Sequence, residues 1–346
     1  MVTPLGLNRA DSFDAALQAK SAIAPAPLPI LKLLPHALAA QVSGNFEAGQ
    51  TRAVTSLDRA TQFALVATQE ALADAGYVAS DLQKSRSGIY VGIGMGGAHT
   101  IETLYTRFFE LLQLAATENR DPTIIHPLAV PRMMANSGAA AISIQHQLRG
   151  PTFTYSIACA SSAVAIGEAM RALRHGYIDT AIVIGTEAML TPGSYVAWNA
   201  LRVIAKKHDS GLEASCRPFD AERNGFVLGE GAAALVLQAE GIEPTCSRAA
   251  YAELCGYGTT TMAFTSPCLL LTGRSAPCRP RWRNAGYPQR RLATSTRTAL
   301  PPRRAIWLKL IRSKALSVRM PTSWRSARPK PCMAISSVLA GRWSSR

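Results

Sequence analysis

The chain has 346 residues, of which 48% are hydrophobic, and a formal charge of +15 at neutral pH. It is long enough for a sizeable core or two domains, and no apolar run is long enough to span a bilayer. The basicity is confined to one end: residues after Thr261 hold 18 Lys and Arg and no Asp or Glu, whereas Met1 to Thr261 holds 19 basic and 22 acidic residues. The body of the protein is therefore mildly acidic and gives no footing for a specific nucleic-acid surface.

Taken from the start, Asp11 follows close behind Met1 with no basic segment leading into an apolar one, so no secretory signal is expected. The seven cysteines show neither a paired framework nor metal-ligand spacing, which predicts a reduced, cytoplasmic protein. Leu57 to Gly76 has a capping Asp58, apolar residues at helical spacing and a glycine exit, and reads as a helix. Ser87 to Gly97 reads as a buried strand running into a glycine turn. Helices are predicted from about His99 to Leu114 and roughly Met133 to Gln147.

Phe153, Tyr155 and Ile157 then alternate with Thr152, Thr154 and Ser156, the period of a strand. From Ser161 the period becomes helical, with Arg171, Arg174 and His175 in the last turn and Gly176 at the exit. Strand Thr180 to Thr186 follows, and Asn224 to Gln238 reads as two short strands around a glycine turn. Strands alternating with helices predict an α/β protein with a largely parallel sheet. Beyond Thr261 no period is sustained, although four of the five tryptophans lie there. Residues 262–346 are thus expected to form no stable domain, and 1–261 to form the folded one.

Cys159 falls in the turn between strand and helix. Free amides and the dipole at a helix start favour an anion, and a thiolate is one. A lone cysteine is more often a small buried apolar residue, and position alone leaves both readings open. Gly92, Gly94 and Gly97 satisfy the G-x-G-x-x-G dinucleotide pattern. No second strand ending in an acid follows at the expected distance, so an NAD(P)-dependent oxidoreductase is a weak alternative to glycines that shape a tight turn. Ser161 and Ser162 lie outside any G-x-S-x-G elbow.

At Ser156 to Ala188, "SIACASSAVAIGEAMRALRHGYIDTAIVIGTEA", followed by "RPFDAERNGFVLGEGAAALVL" from Arg217, the sequence resembles the type II-like β-ketoacyl-acyl-carrier-protein synthases. These are condensing enzymes of fatty-acid and polyketide synthesis. The resemblance covers roughly Met1 to Thr261, and its first segment looks like the stretch just after the family's first strand. It implies the thiolase-like fold, α/β with αβα layers in the N-terminal half, and a homodimer. It also implies Cys159 as acyl acceptor, acyl-carrier protein and its acyl and malonyl thioesters as partners, and no cofactor. Of the alternatives, a non-catalytic synthase-like partner subunit is disfavoured because Cys159 is retained.

Family members also carry two histidines and a lysine in their second half, in motifs such as "HGT" and "KxxxGH". The chain after Thr261 has no histidine. If each codon is started at the third base of the one before, Ala293 to Pro302, "ATSTRTALPP", becomes compatible with "YVNAHGTAT". Pro329 to Gly341, "PKPCMAISSVLAG", becomes compatible with "KAMHGHLLGAGG", with the glycine across Met333 and Ala334 forced by the single methionine codon. A frameshift near Thr261 is the expectation, so that the C-terminal half is not encoded in frame.

The remaining histidines, His36, His99, His126, His146, His175 and His208, sit in no matching motif and are read as surface or structural. Arg217, Asp220 and Arg223 are expected to hold a hairpin, and Cys216, Cys246 and Cys255 to be inert. Cys268, Cys278 and Cys332 are read as accidents of the shifted frame. Asn136 and Ser137 are either near an acyl channel, by resemblance, or polar residues of a helix face.

Overall fold

A computed structural model describes residues 1–44, 46, 50–77, 86–118, 127–239 and 250–259, and the backbone of a strand at 314–319. His126, Cys246, Cys268, Cys278 and Cys332, the junction near Thr261 and the rest of the basic segment lie outside the described residues. In chain order the helices are α1 (Arg9–Leu17), α2 (Leu28–Leu31), α3 (Arg52–Thr55), α4 (Arg59–Asp74), α5 (Ala98–Glu118), α6 (Ala129–Met133), α7 (Ser137–His146), α8 (Ser161–Arg174) and α9 (Pro192–Ala200). The strands are β1 (Ala24–Pro25), β2 (Leu38–Ala40), β3 (Ser87–Gly92), β4 (Thr152–Tyr155), β5 (Thr180–Glu187), β6 (Leu228–Gly229), β7 (Gly231–Gln238), β8 (Glu253–Gly258) and β9 (Lys314–Arg319).

The main sheet has the order β4-β3-β5-β7, with β3 parallel to β4 and β5 and with β7 antiparallel to β5. Alternation along β3 and β5 sorts their side chains to two faces. Ile89, Val91, Ile182 and Ile184 pack with Ala64 and Leu65 of α4 and Ala139 and Ile142 of α7. Tyr90, Ala181 and Val183 face the other way, against Ala165 and Ala169 of α8. This is the expected αβα layering, and each large apolar side chain so buried contributes about 1.5–3 kcal/mol.

Local chemistry explains the element ends. Asp58 caps α4 by accepting from the Ala60 amide at 3.0 Å, and its second oxygen accepts from the amide and hydroxyl of Thr100, tying α4 to α5. Gly76, at φ +69, ends the helix while Tyr77 donates back to the Leu72 carbonyl. The predicted helix from Met133 to Gln147 is two pieces, because Met134 is extended (φ −69, ψ 139) and Asn136 precedes a new start at Ser137. The helix after the glycine turn runs on to Glu118.

One expectation is overturned: Asn224 to Gln238 is not a hairpin. β6 pairs in parallel with β2 in a small sheet of order β1-β2-β6, whereas β7 belongs to the main sheet. Glu230, between them, is fully buried and accepts from Val42 N and from Nε and Nη2 of Arg59. The buried carboxylate, met by a cation and an amide, pins the point where the chain changes sheets. Arg217 instead pairs with Asp220 at 3.1 Å and Glu222 at 3.5 Å and contacts His208, while Arg223 donates to the Asp220 carbonyl. These residues brace the loop ahead of β6 rather than a turn between paired strands.

β8 lies on α8: the Tyr257 ring occupies the space a Cβ on Gly167 would take, Arg171 stacks over that ring, and Arg174 donates to the Cys255 carbonyl. β9 pairs antiparallel with β8, with register shifts.

Candidate active site

Cys159 stands in a tight elbow between β4 and α8. Ala158 is in the left-handed region at φ +48, a conformation that costs a non-glycine residue about 1 kcal/mol or more and that concentrates at functional sites. The turn is held by one side chain: the Ser161 hydroxyl accepts from Ile157 N at 2.8 Å and donates to the Ala158 carbonyl at 2.7 Å. Ala160 donates to the Ile157 carbonyl, and α8 begins at Ser161. The residue between them is therefore lifted out of the chain's path, and Cys159 is exposed with a free thiol.

The glycines of the preceding loop make room for the elbow. A Cβ on Gly92 would lie 2.4 Å from Cα and N of Ser162, so β3 approaches α8 closely only because Gly92 has none. Gly94 is held through its carbonyl, which accepts from the Ser156 hydroxyl at 2.7 Å. Together with Ala158, Cys159, Ser162 and Glu187, these glycines line a cavity of about 20 Å³, room for a water-sized group.

Glu187, at the end of β5, is 5% exposed. Its Oε2 accepts from Gly94 N at 2.8 Å and Met95 N at 3.1 Å, and its Oε1 from Ala188 N at 3.3 Å. Burial raises its pKa, the three amides oppose that rise, and Asp58 adds to it. Burial likewise pushes the Cys159 thiol up; its own backbone amide donates to the sulfur and lowers it, and the Glu187 carboxylate raises it again. The helix start and the adjacent amide favour the anion, while desolvation and the neighbouring acid oppose it, and the net shift is upward.

No histidine lines this cavity. His36 and His175 are exposed, His99 and His146 are partly buried with pKa values lowered by burial, and His208 binds Arg217 and Ser210 N. Asn136 precedes α7, and Ser137 accepts from the Thr61 hydroxyl, bridging α7 to α4. Neither lines the cavity. A larger cavity of about 560 Å³ opens among Asp58, Arg59, His99, Arg107 and Arg132 and holds no thiol. Among the described residues no group of three or more His, Cys, Asp or Glu side chains is placed for a metal ion. Sequence reasoning missed Glu187; the signal was an acid closing an eight-residue run that is buried throughout.

An exposed cysteine on a strand-to-helix elbow, beside a small cavity in an αβα layered fold, is an arrangement with the geometry that covalent nucleophilic chemistry requires. Residues 1–241 match the family model "Beta-ketoacyl synthase, N-terminal domain", and the chain belongs to the β-ketoacyl synthase family. The 3-oxoacyl-[acyl-carrier-protein] synthase 2 of Synechocystis sp. is 31% identical over 283 residues, 80% of this chain and 64% of that protein. The enzyme of the same name from Staphylococcus aureus is 35% identical over 210 residues, 60% of this chain and 48% of that protein. The chain thus spans about half to two thirds of the length of these relatives.

Among solved structures, a β-ketoacyl synthase from Burkholderia phymatum superposes with a TM-score of 0.62 at 27% identity, covering 75% of this chain and 62% of that one. The ketosynthase of a type II PKS, in complex with its acyl-carrier protein and bound to the hexaketide, superposes with a TM-score of 0.66 at 25% identity over 76% of this chain and 62% of that one. The fold is accordingly thiolase-like α/β.

Proposed function

We propose that the chain performs the acyl-accepting stage of a β-ketoacyl-acyl-carrier-protein synthase of fatty-acid or polyketide synthesis, with Cys159 as nucleophile. The thiol gives up its proton as the sulfur adds to the carbonyl of a carrier-bound acyl thioester. The tetrahedral oxyanion collapses, the carrier thiolate departs with a proton, and an acyl-cysteine remains. The Cys159 amide beside the sulfur is suited to steady that oxyanion. The observation that carries this reading is the exposed thiol at the Ala158 elbow, in a family member.

The second stage, decarboxylation of a malonyl thioester and attack of its carbanion on the acyl-cysteine, needs donors for the developing enolate oxygen. Loss of one such donor commonly costs about 10²- to 10³-fold. The histidine motifs that would supply them are legible only in the shifted frame after Thr261. We therefore read the chain as written as able to load an acyl group and unable to condense it. The partner is an acyl-carrier protein, as in the type II PKS complex among the neighbours.

A homodimer is supported by β4, which has a strand neighbour on one side only among the described residues and exposes Phe153, and by exposed Tyr105 and Phe109 on α5. Among the described residues no helix is long and apolar enough to cross a membrane, and a cytoplasmic location fits the reduced cysteines. The test is mass mapping of the purified chain after incubation with acyl-acyl-carrier protein. The acyl mass is expected on the Cys159 peptide and absent from Cys159→Ala, and an adduct elsewhere or none contradicts the assignment.

A further inference from the structure

Glu187 is a buried carboxylate that makes no ion pair among the described residues; its three hydrogen bonds come from backbone amides. A charge in such a place is costly without a cation, yet here it stands at the wall of the Cys159 cavity. Two of its three amides, Gly94 and Met95, belong to the glycine loop, 93 and 92 residues away in sequence. The same loop is gripped from the elbow side by the Ser156 hydroxyl on the Gly94 carbonyl. A Cβ on Gly94 would meet Glu187 Oε2 at 2.6 Å and the Ala158 carbonyl oxygen at 4.0 Å, so the loop lies between the carboxylate and the cysteine turn with no room to spare.

We infer that Glu187 is a positioning residue for acyl transfer at Cys159: through the Gly94 and Met95 amides it fixes the glycine loop as one wall of the cavity beside the sulfur. The inference rests on the acyl-cysteine reading. The charge also bears on the thiol directly, since Glu187 raises Cys159. The titratable group that bears on Cys159 is Glu187, and the one that bears on Glu187 is Asp58 at the start of α4.

The test uses the full chain. Glu187→Gln keeps the size, removes the charge and leaves one oxygen to serve three amides that two oxygens served. Loading from acyl-acyl-carrier protein is expected to slow about tenfold or more, because small misplacements at a reacting centre are costly. The midpoint of Cys159 alkylation by iodoacetamide is expected to move to lower pH, because the neighbouring charge is gone. Gly94→Ala displaces the loop and keeps the charge, so loading slows while the alkylation midpoint falls less than in Glu187→Gln. In the unmodified chain, the Gly94 and Met95 amides are expected to be protected from hydrogen exchange.

Wild-type loading by a folded Glu187→Gln overturns the inference. So does free exchange at Gly94 and Met95 in the unmodified chain, a result that needs no variant to fold. If the unmodified chain takes up no acyl group, the acyl-cysteine reading fails on its own, and exchange together with the alkylation midpoint still decides whether Glu187 holds the loop.

Discussion

A thiol that must attack a thioester is helped by a charge of the right sign close by, and Cys159 has the opposite. Burial and Glu187 both raise it, against the single lowering effect of its own amide. Alkylation of Cys159 is therefore expected to rise only at pH values above those of an ordinary exposed thiol, read as the pH dependence of the rate for the Cys159 peptide. A midpoint below the ordinary range would mean that the helix start dominates after all. The placement of the cysteine was legible because a strand period ends just before Cys159 and a helical period begins just after it. Its ionisation was not, since Glu187 arrives from β5, 28 positions along the chain, and sequence period says nothing of which strand end meets which turn.

At the scale of elements, close approach does most of the work. Gly92→Ala places a Cβ against the backbone of Ser162, which cannot swing aside as a side chain would, so β3 and α8 must separate. A loss of about 1–3 kcal/mol is expected, measured by urea unfolding. Glu230→Ala removes the carboxylate that the Arg59 guanidinium and the Val42 amide share; the Arg59 side chain is 11% exposed. Removing one member of such a pair costs about 3–5 kcal/mol, and the same unfolding measurement checks it.

Ile89, Val91, Ile182 and Ile184 face one layer and Tyr90, Ala181 and Val183 the other; the αβα layers were implied by the family resemblance, and the α/β class could be read from strands alternating with helices. The supposed hairpin at Asn224 to Gln238 could not. Its strands take partners near Ala39 and along Thr180–Glu187, and it is remote pairing and buried Glu230 that decide against a local turn.

As a whole molecule, the described part matches the N-terminal domain of its family over residues 1–241. Among the described residues β4 ends the main sheet with Phe153 exposed, an edge that the proposed homodimer would cover. Phe153→Glu is expected to shift the purified chain from dimer to monomer by sedimentation; a monomer before substitution would refute the dimer. Beyond Thr261, a −1 frame is compatible with "HGT" and "KxxxGH" type motifs; on the proposed frameshift, a gene read in that frame is expected to yield a chain that condenses, checked by 3-ketoacyl product formation.

The most direct test of the account is a single-turnover experiment with acyl- and malonyl-acyl-carrier protein together, following protein and product by mass. The account predicts an acyl adduct that accumulates on Cys159 with no 3-ketoacyl product. Turnover to 3-ketoacyl product by this chain, or product with no adduct at Cys159, would contradict it.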